Sequence, residues 1–199
     1  MLTLAFDTAT DVATAALVRD GEVLGERASR AVRVLRDVED LLTEAGLESS
    51  DVDRIVVGTG PGSYTGLRMG LVTARTLAIS LQVPVAGVST LAALAAGAPG
   101  AVPVIDARRR EVFTLAAGEP SCVAAAALGV EPGRTYVGDG AVRYREEIVA
   151  AGGDVPPDDA PEHVPWARHH AAVARDFGAA DEAEPIYLRA PDAEKALKR

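Results

Sequence analysis

Two stretches of this chain carry residues whose chemistry depends on where they are held. The first is Phe6-Asp7-Thr8-Ala9-Thr10, a carboxylate and two hydroxyls closing an apolar run. A carboxylate there can orient a metal-bound water or a phosphate, with Thr8 and Thr10 beside it; it can equally accept backbone hydrogen bonds in a turn. The second is GTGPGSYTGLRMGLVTARTLA, from Gly58 to Ala78, in which Gly58, Gly60, Gly62 and Gly66 surround Pro61. Backbone amides and a positive helix end converging on one spot favour an anion. A tight strand-to-helix turn demands the same glycines, and the sequence leaves both readings open.

Nucleotide fingerprints are absent from the loop. No Lys-Ser or Lys-Thr follows it, so the phosphate-loop pattern fails. Gly60 is followed three residues on by Ser63, and no acid lies near Ser80 to hold a ribose, so the dinucleotide pattern fails as well. Asp7, Thr8, Thr10, Gly60 and Gly62 are what is left as candidate nucleotide contacts. The run DARRR, Asp106 to Arg110, is either a phosphate-holding cluster or a solvated hairpin tip. His163, His169 and His170 are the only histidines, and the adjacent pair points to different helix faces, which argues against a metal site. Ser63 has no base nearby in sequence. No catalytic residues and no metal ligands are assigned.

The helix behind the glycine loop is more informative. From Ile55 to Ile105 the only charged residues are Arg68 and Arg75, although charged residues make up 25% of the chain. Leu67, Leu71, Ala74 and Ala78 form one apolar face; Met69, Val72, Thr76 and Ile79 form another nearly opposite, with Arg68, Arg75 and Gln82 along the seam. A helix apolar on two sides needs two coverings. One is its own sheet; the other is either a second lobe of the same chain or a partner.

The elements that must position these residues follow from periodicity. Leu2 to Asp7, Val12 to Val18 and Glu22 to Arg27 read as a three-strand meander with a hairpin turn at Asp20-Gly21. Val34, Leu35, Val38, Leu41, Leu42 and Ala45 recur at helical spacing before a capping Gly46. A strand over Arg54 to Val57, a helix over Leu67 to Leu81, a strand at PVAGV and a helix over Thr90 to Ala96, capped by Ser89, complete a mixed α/β layer. AGAPGAVP then marks a boundary, giving domains 1–100 and 101–199. Beyond it the plan restarts. VPVIDARRREVFTLAAG reads as a hairpin, RTYVGDGAV as strand, glycine turn and helix start, and WARHHAAVARDFG as a helix. Asp106 takes the place of Asp7, and VGDG echoes VGTG.

Composition sets the outer bounds. The chain has 199 residues, 48% of them hydrophobic, enough for a true core, and 4% aromatic, so Ala, Val and Leu must build it. A net charge of -9 argues against independent nucleic-acid binding. One cysteine, Cys122, fits a reducing compartment, and no secretory signal is visible, so a cytoplasmic location is expected. The charge-free stretch from Thr76 to Ile105 is broken by Pro84, Gly87, Pro99, Gly100 and Pro103, so no membrane association is expected.

FDTAT, GTGPGSYTGLRMGLVTARTLA, VPVAGVSTLAAL, IDARRREVF, VGDG and PIYLR together resemble the bacterial TsaB (YeaZ) family, strongly from Gly58 to Leu94 and thinly over 119–134 and 155–184. The resemblance implies two ribonuclease-H-like lobes of the actin, Hsp70 and sugar-kinase (ASKHA) type, the second smaller and degenerate. It implies a non-catalytic dimerisation or scaffold subunit supporting the larger paralogue TsaD in N6-threonylcarbamoylation of adenosine 37 of tRNA, with the ATPase TsaE as a further partner. The paralogue's paired metal-binding histidines fall at Thr90 and Leu94 here, which cannot serve, so the chain is not expected to be an enzyme. The implied partner interface comprises Val34, Leu35, Val38, Leu41 and Leu42 on the first helix and Leu67, Arg68, Leu71, Ala74, Arg75 and Ala78 on the second. A homodimer is expected when the chain is alone, with tRNA handled mainly through the complex. No cofactor is required; ATP or ADP binding is open. The first helix departs from the family pattern, with ASRAVRVLRDV where a His-Ser pair and a Pro are usual. The alternative is a stand-alone ASKHA-type ATPase or small-molecule kinase using Asp7 and the glycine turn.

Overall fold

Strand β1 (Leu2–Asp7) pairs antiparallel with β2 (Ala13–Arg19), which pairs antiparallel with β3 (Glu22–Ser29). The computed structural model describes residues 1–116 and 118–189. The β2–β3 turn places Asp20 and Gly21 at φ 51° and 90°, the left-handed pair a two-residue hairpin needs. Strands β4 (Arg54–Gly58) and β5 (Val85–Val88) then add in parallel, giving the order β3-β2-β1-β4-β5.

Helices α1 (Val34–Glu44) and α2 (Tyr64–Leu81) cover one face of this sheet. Their inward residues, Val38, Leu41, Leu71 and Ala74 among them, join Leu4, Phe6, Leu17, Ile55 and Val57 in one apolar core. α2 begins three residues earlier than periodicity indicates, because the Ser63 hydroxyl accepts from the Gly66 amide at 3.3 Å and caps it. Helix α3 (Thr90–Gly97) follows β5. Ser89 stands at its N-cap, but the hydroxyl makes no capping bond, contrary to expectation.

The second sheet repeats the order of the first four strands. It holds β6 (Val102–Asp106), β7 (Glu111–Ala116), β8 (Glu119–Ala124) and β9 (Tyr136–Val137) in the order β8-β7-β6-β9. Asp106 ends β6 as Asp7 ends β1, and β9 runs parallel to β6 as β4 does to β1. β8 has no sequence signal of its own; as an edge strand it tolerates Pro120. Helices α4 (Asp139–Arg143) and α5 (Arg145–Ala150) cover this sheet around Val104, Val112, Tyr136 and Ile148.

One late element crosses the expected division at residue 100. Helix α6 (Ala167–Val173) comes late in the chain but packs on the first sheet, where Ala167 and Ala174 meet Ala5, Ala16, Val18, Val56, Ala86 and Val88. The physical reason is that α1 and α2 cover only one face, and the small apolar residues on the other must also leave water. α6 is also shorter than WARHHAAVARDFG suggests: Ala174 is extended and Asp176 has φ 51°.

Candidate functional site

Asp7 lies at the carboxyl end of β1 and is fully buried. Its Oδ1 accepts from the Ala9 amide at 2.6 Å, and its Oδ2 accepts from Thr90 Oγ1 at 2.7 Å. His170 of α6 brings Nε2 to 2.8 Å from the same Oδ2, an ion-pair contact whose angle falls outside hydrogen-bond geometry. Burial alone pushes the Asp7 carboxyl up. The His170 charge, with the bonds from Thr90 and Ala9, outweighs it and holds the pKa below the ordinary carboxylate value.

The glycine loop packs directly over this carboxylate. A Cβ on Gly58 would collide with the Asp7 carboxyl group, and one on Gly66 would collide with the Thr8 carbonyl. Several polar groups in and around the loop bond within the chain: Ser63 N donates to Ala9 O at 2.7 Å, Thr8 Oγ1 to Gly66 O at 2.7 Å, and Thr90 N to Gly60 O at 2.7 Å. Thr10 Oγ1 donates to Val12 O at 2.8 Å. The glycines thus permit close approach of backbone to backbone. Of the candidate nucleotide contacts, Asp7, Thr8 and Gly60 are buried in this packing, while Thr10 and Gly62 line a cleft. His170 closes Asp7 Oδ2 off from the cleft, so of this set Thr10 and Gly62 are the members a ligand in the cleft could meet.

The cleft, of about 490 Å³, lies between the glycine loop and the second sheet. Arg108 clamps Asp11 with two contacts of 2.8 Å and approaches Asp106 at 3.2 Å; Arg143 reaches Asp106 from α4 at 3.2 Å. Arg108 of the DARRR run therefore neutralises carboxylates of its own chain, as Arg143 does from α4. Asp139 accepts from the Asp106 amide at 2.9 Å. Burial, with the nearby Asp106 and Asp11 charges, raises the Asp139 pKa to about 6. Among the described residues no three His, Cys, Asp or Glu side chains gather as metal ligands. Thr90 is committed to Asp7 and Leu94 to the apolar contact between α3 and the second sheet.

The outer surface of α2 is the other feature, and here the expected contact set changes. Val34, Val38, Leu41, Leu42, Leu67, Leu71, Ala74 and Ala78 are all buried in this chain's own core, so they are not free to meet a partner. Arg75 turns inward along the seam and donates to the Ala183 carbonyl at 2.8 Å. Leu35 and Arg68 are exposed. The outward stripe is the second apolar face read from the sequence: Ile79 is 70% and Val72 63% exposed. Beside it the short turn Ala31–Arg33 packs on α2, with Val32 77% exposed, and Leu35 is 55% exposed. At the N-terminal end of the stripe Arg68 stacks on Tyr64 at 4.2 Å, and Tyr64 stands 5.4 Å from Tyr187. Tyr64 and Tyr187 went unassigned in the sequence; the only signal was their presence in a chain with few aromatics.

A strand order laid down twice, with a glycine loop packed over the first aspartate and a cleft between the sheets, defines an α/β protein built on two sheets of related topology. Residues 10–126 match the family model described as "TsaD: tRNA N6-adenosine threonylcarbamoyltransferase". The chain is 40% identical over 123 residues to "tRNA threonylcarbamoyladenosine biosynthesis protein TsaB" of Bacillus subtilis, covering 57% of this chain and 54% of that protein. It is 41% identical over 123 residues to the Escherichia coli protein of the same name, covering 57% and 53%. The chain thus aligns with about half the length of these curated relatives. The solved structure of YeaZ from Pseudomonas aeruginosa superposes with a TM-score of 0.76 at 31% identity, covering 94% of this chain and 99% of that one. The chain belongs to the TsaB (YeaZ) family.

Proposed function

We propose that this chain is a non-catalytic scaffold subunit that supports the transferase TsaD in N6-threonylcarbamoylation of adenosine 37 of tRNA. The observation that carries this reading is the exposed apolar stripe of α2, Val72 and Ile79, flanked by Val32 and Leu35. The match of residues 10–126 to the transferase's own family model supports a relative of this chain as the occupant. Two chains sharing this layout can present equivalent helix pairs to one another about a pseudo-two-fold axis. The same geometry supports a homodimer when the chain is alone. A net charge of -9 supports tRNA contact mainly through the complex; TsaE is a further partner on the family resemblance alone. No helix of the described residues is long and apolar enough to cross a membrane. A cytoplasmic location accords with the process named for the relatives.

The test is the affinity of the chain for TsaD, by titration calorimetry, with Val72→Glu/Ile79→Glu as the comparison. Both side chains are exposed, so the variant folds as the wild type does, and its affinity falls about a hundredfold, as for loss of a central interface anchor. Undiminished binding by the variant refutes the docking face. Magnesium-dependent ATP turnover by the chain alone, lost in Asp7→Asn, refutes the non-catalytic reading in favour of an ATPase or kinase.

A further inference from the structure

The segment from Ala183 to Arg189 leaves the first sheet and ends on the second. Ala183 is buried in the first lobe's core, with its carbonyl held by Arg75 of α2. Ile186 N donates to Thr59 O at 2.8 Å, at the end of β4. The Tyr187 ring rests against Tyr64, whose face Arg68 covers at 4.2 Å. Leu188 then packs beside Ile105 and Phe113 of the second sheet. Arg189 closes the crossing, its Nη1 2.9 Å from both Ala107 O and Glu111 Oε2 in the β6–β7 hairpin. The same segment forms one wall of the cleft.

Tyr64 and Arg68, one turn apart, continue along α2 into Val72 and Ile79, so the residues that hold Tyr187 belong to the outward stripe itself. We propose that residues 183–189 form a strap coupling the outer stripe of α2 to the spacing of the two lobes. A body seated on the stripe touches Tyr64, Arg68 and Tyr187 together. Tightening or releasing Tyr187 there tightens or releases Leu188 and Arg189 on the second lobe. By linkage, whatever alters the cleft alters affinity at the stripe to the same extent. The identity of the seated body rests on the function proposed above; the coupling is a property of this chain alone.

Amide hydrogen exchange on the isolated chain tests it, comparing wild type with Tyr64→Ala/Arg68→Ala. The strap amide of Ile186 and the hairpin amides of Ala107 and Glu111 exchange about threefold to tenfold faster in the variant, the scale of a lost aromatic and cation–π contact. Amides of α2 from Leu71 to Ala78 stay as they were. Wild-type exchange at Ile186 and the hairpin overturns the coupling. If the α2 amides quicken too, Arg189→Ala decides, since it leaves α2 untouched. It shifts the Tyr64 ring-proton resonances if the strap transmits, and leaves them in place if the coupling is absent. With TsaD present, Arg189→Ala changes affinity about threefold or more although its stripe is intact; wild-type affinity means docking without coupling and overturns the strap. If neither chain binds TsaD, the docking function falls, and the exchange and resonance measurements still decide the strap.

Discussion

At the residue scale the most consequential contact is between Asp7 and His170. Both side chains are out of water, so each depends on the other: removing one member of a buried pair leaves an uncompensated charge. His170→Ala therefore destabilises the fold by about 3–5 kcal/mol, measured by urea unfolding near neutral pH. Asp7→Asn/His170→Gln loses less than the two single changes added together, because neither charge is then stranded. The pH dependence has a definite sign. The folded pKa of Asp7 lies below its ordinary value of 3.8, so its contribution is present above that value and is lost as pH falls through the folded one. Unfolding midpoints measured between pH 6 and the acid limit show this loss in wild type and not in Asp7→Asn. A midpoint for His170→Ala equal to wild type would show that the pair holds nothing.

At the element scale α2 shows how small residues decide where a helix can lie. Gly66 and Gly70 face the turn after β1, where a Cβ would collide with the Thr8 carbonyl in the first case and the Thr8 hydroxyl in the second. Helix propensity alone favours alanine over glycine by about 1 kcal/mol at each site. At Gly66 the obstacle is backbone and cannot move aside, so Gly66→Ala is destabilising by about 1–3 kcal/mol despite its better propensity. At Gly70 the obstacle is the end of a rotatable side chain, so Gly70→Ala costs less. Thermal unfolding of the two variants orders them, and a stabilised Gly66→Ala contradicts the packing. Periodicity made the two apolar faces of α2 legible, since a 3.6-residue repeat places Leu67 and Val72 on different sides whatever the tertiary context. It could not say which face the sheet would take, because both are apolar. Most of the expected contact set fell on the inward one, with Arg68 on α2 and Leu35 on α1 the exposed exceptions. Ser63 and Ser89 show the same limit at helix starts. Both have the right residue type before an apolar run, but only the Ser63 hydroxyl finds an amide to cap. Asp7 was singled out as a strand-end carboxylate; its partner His170, 163 residues away in sequence, was not, because no local spacing connects them.

At the scale of the whole molecule the two lobes are not laid end to end. The chain builds the first sheet, builds the second, and returns with α6 to cover the face of the first that α1 and α2 leave bare. Thr14 Oγ1 donates to Pro165 O at 2.8 Å just before α6, Arg168 pairs with Glu26, and His170 meets Asp7, so the first sheet grips α6 at two points and its entrance at a third. The strap makes the crossing a second time. Two sheets with separate cores would unfold in two steps if only a linker joined them; shared covering elements make each core's stability depend on the other. The only tryptophan, Trp166, sits at the entrance to α6, its Nε1 2.9 Å from Pro161 O. Its fluorescence reports the docking of α6, while far-UV circular dichroism reports both sheets. The two signals should follow one urea transition with a common midpoint, and His170→Ala should move both together. A second dichroism step after the Trp166 signal is complete would mean that the second lobe stands without the helix that crosses from it, and that α6 covers the first sheet without binding the lobes into one unit.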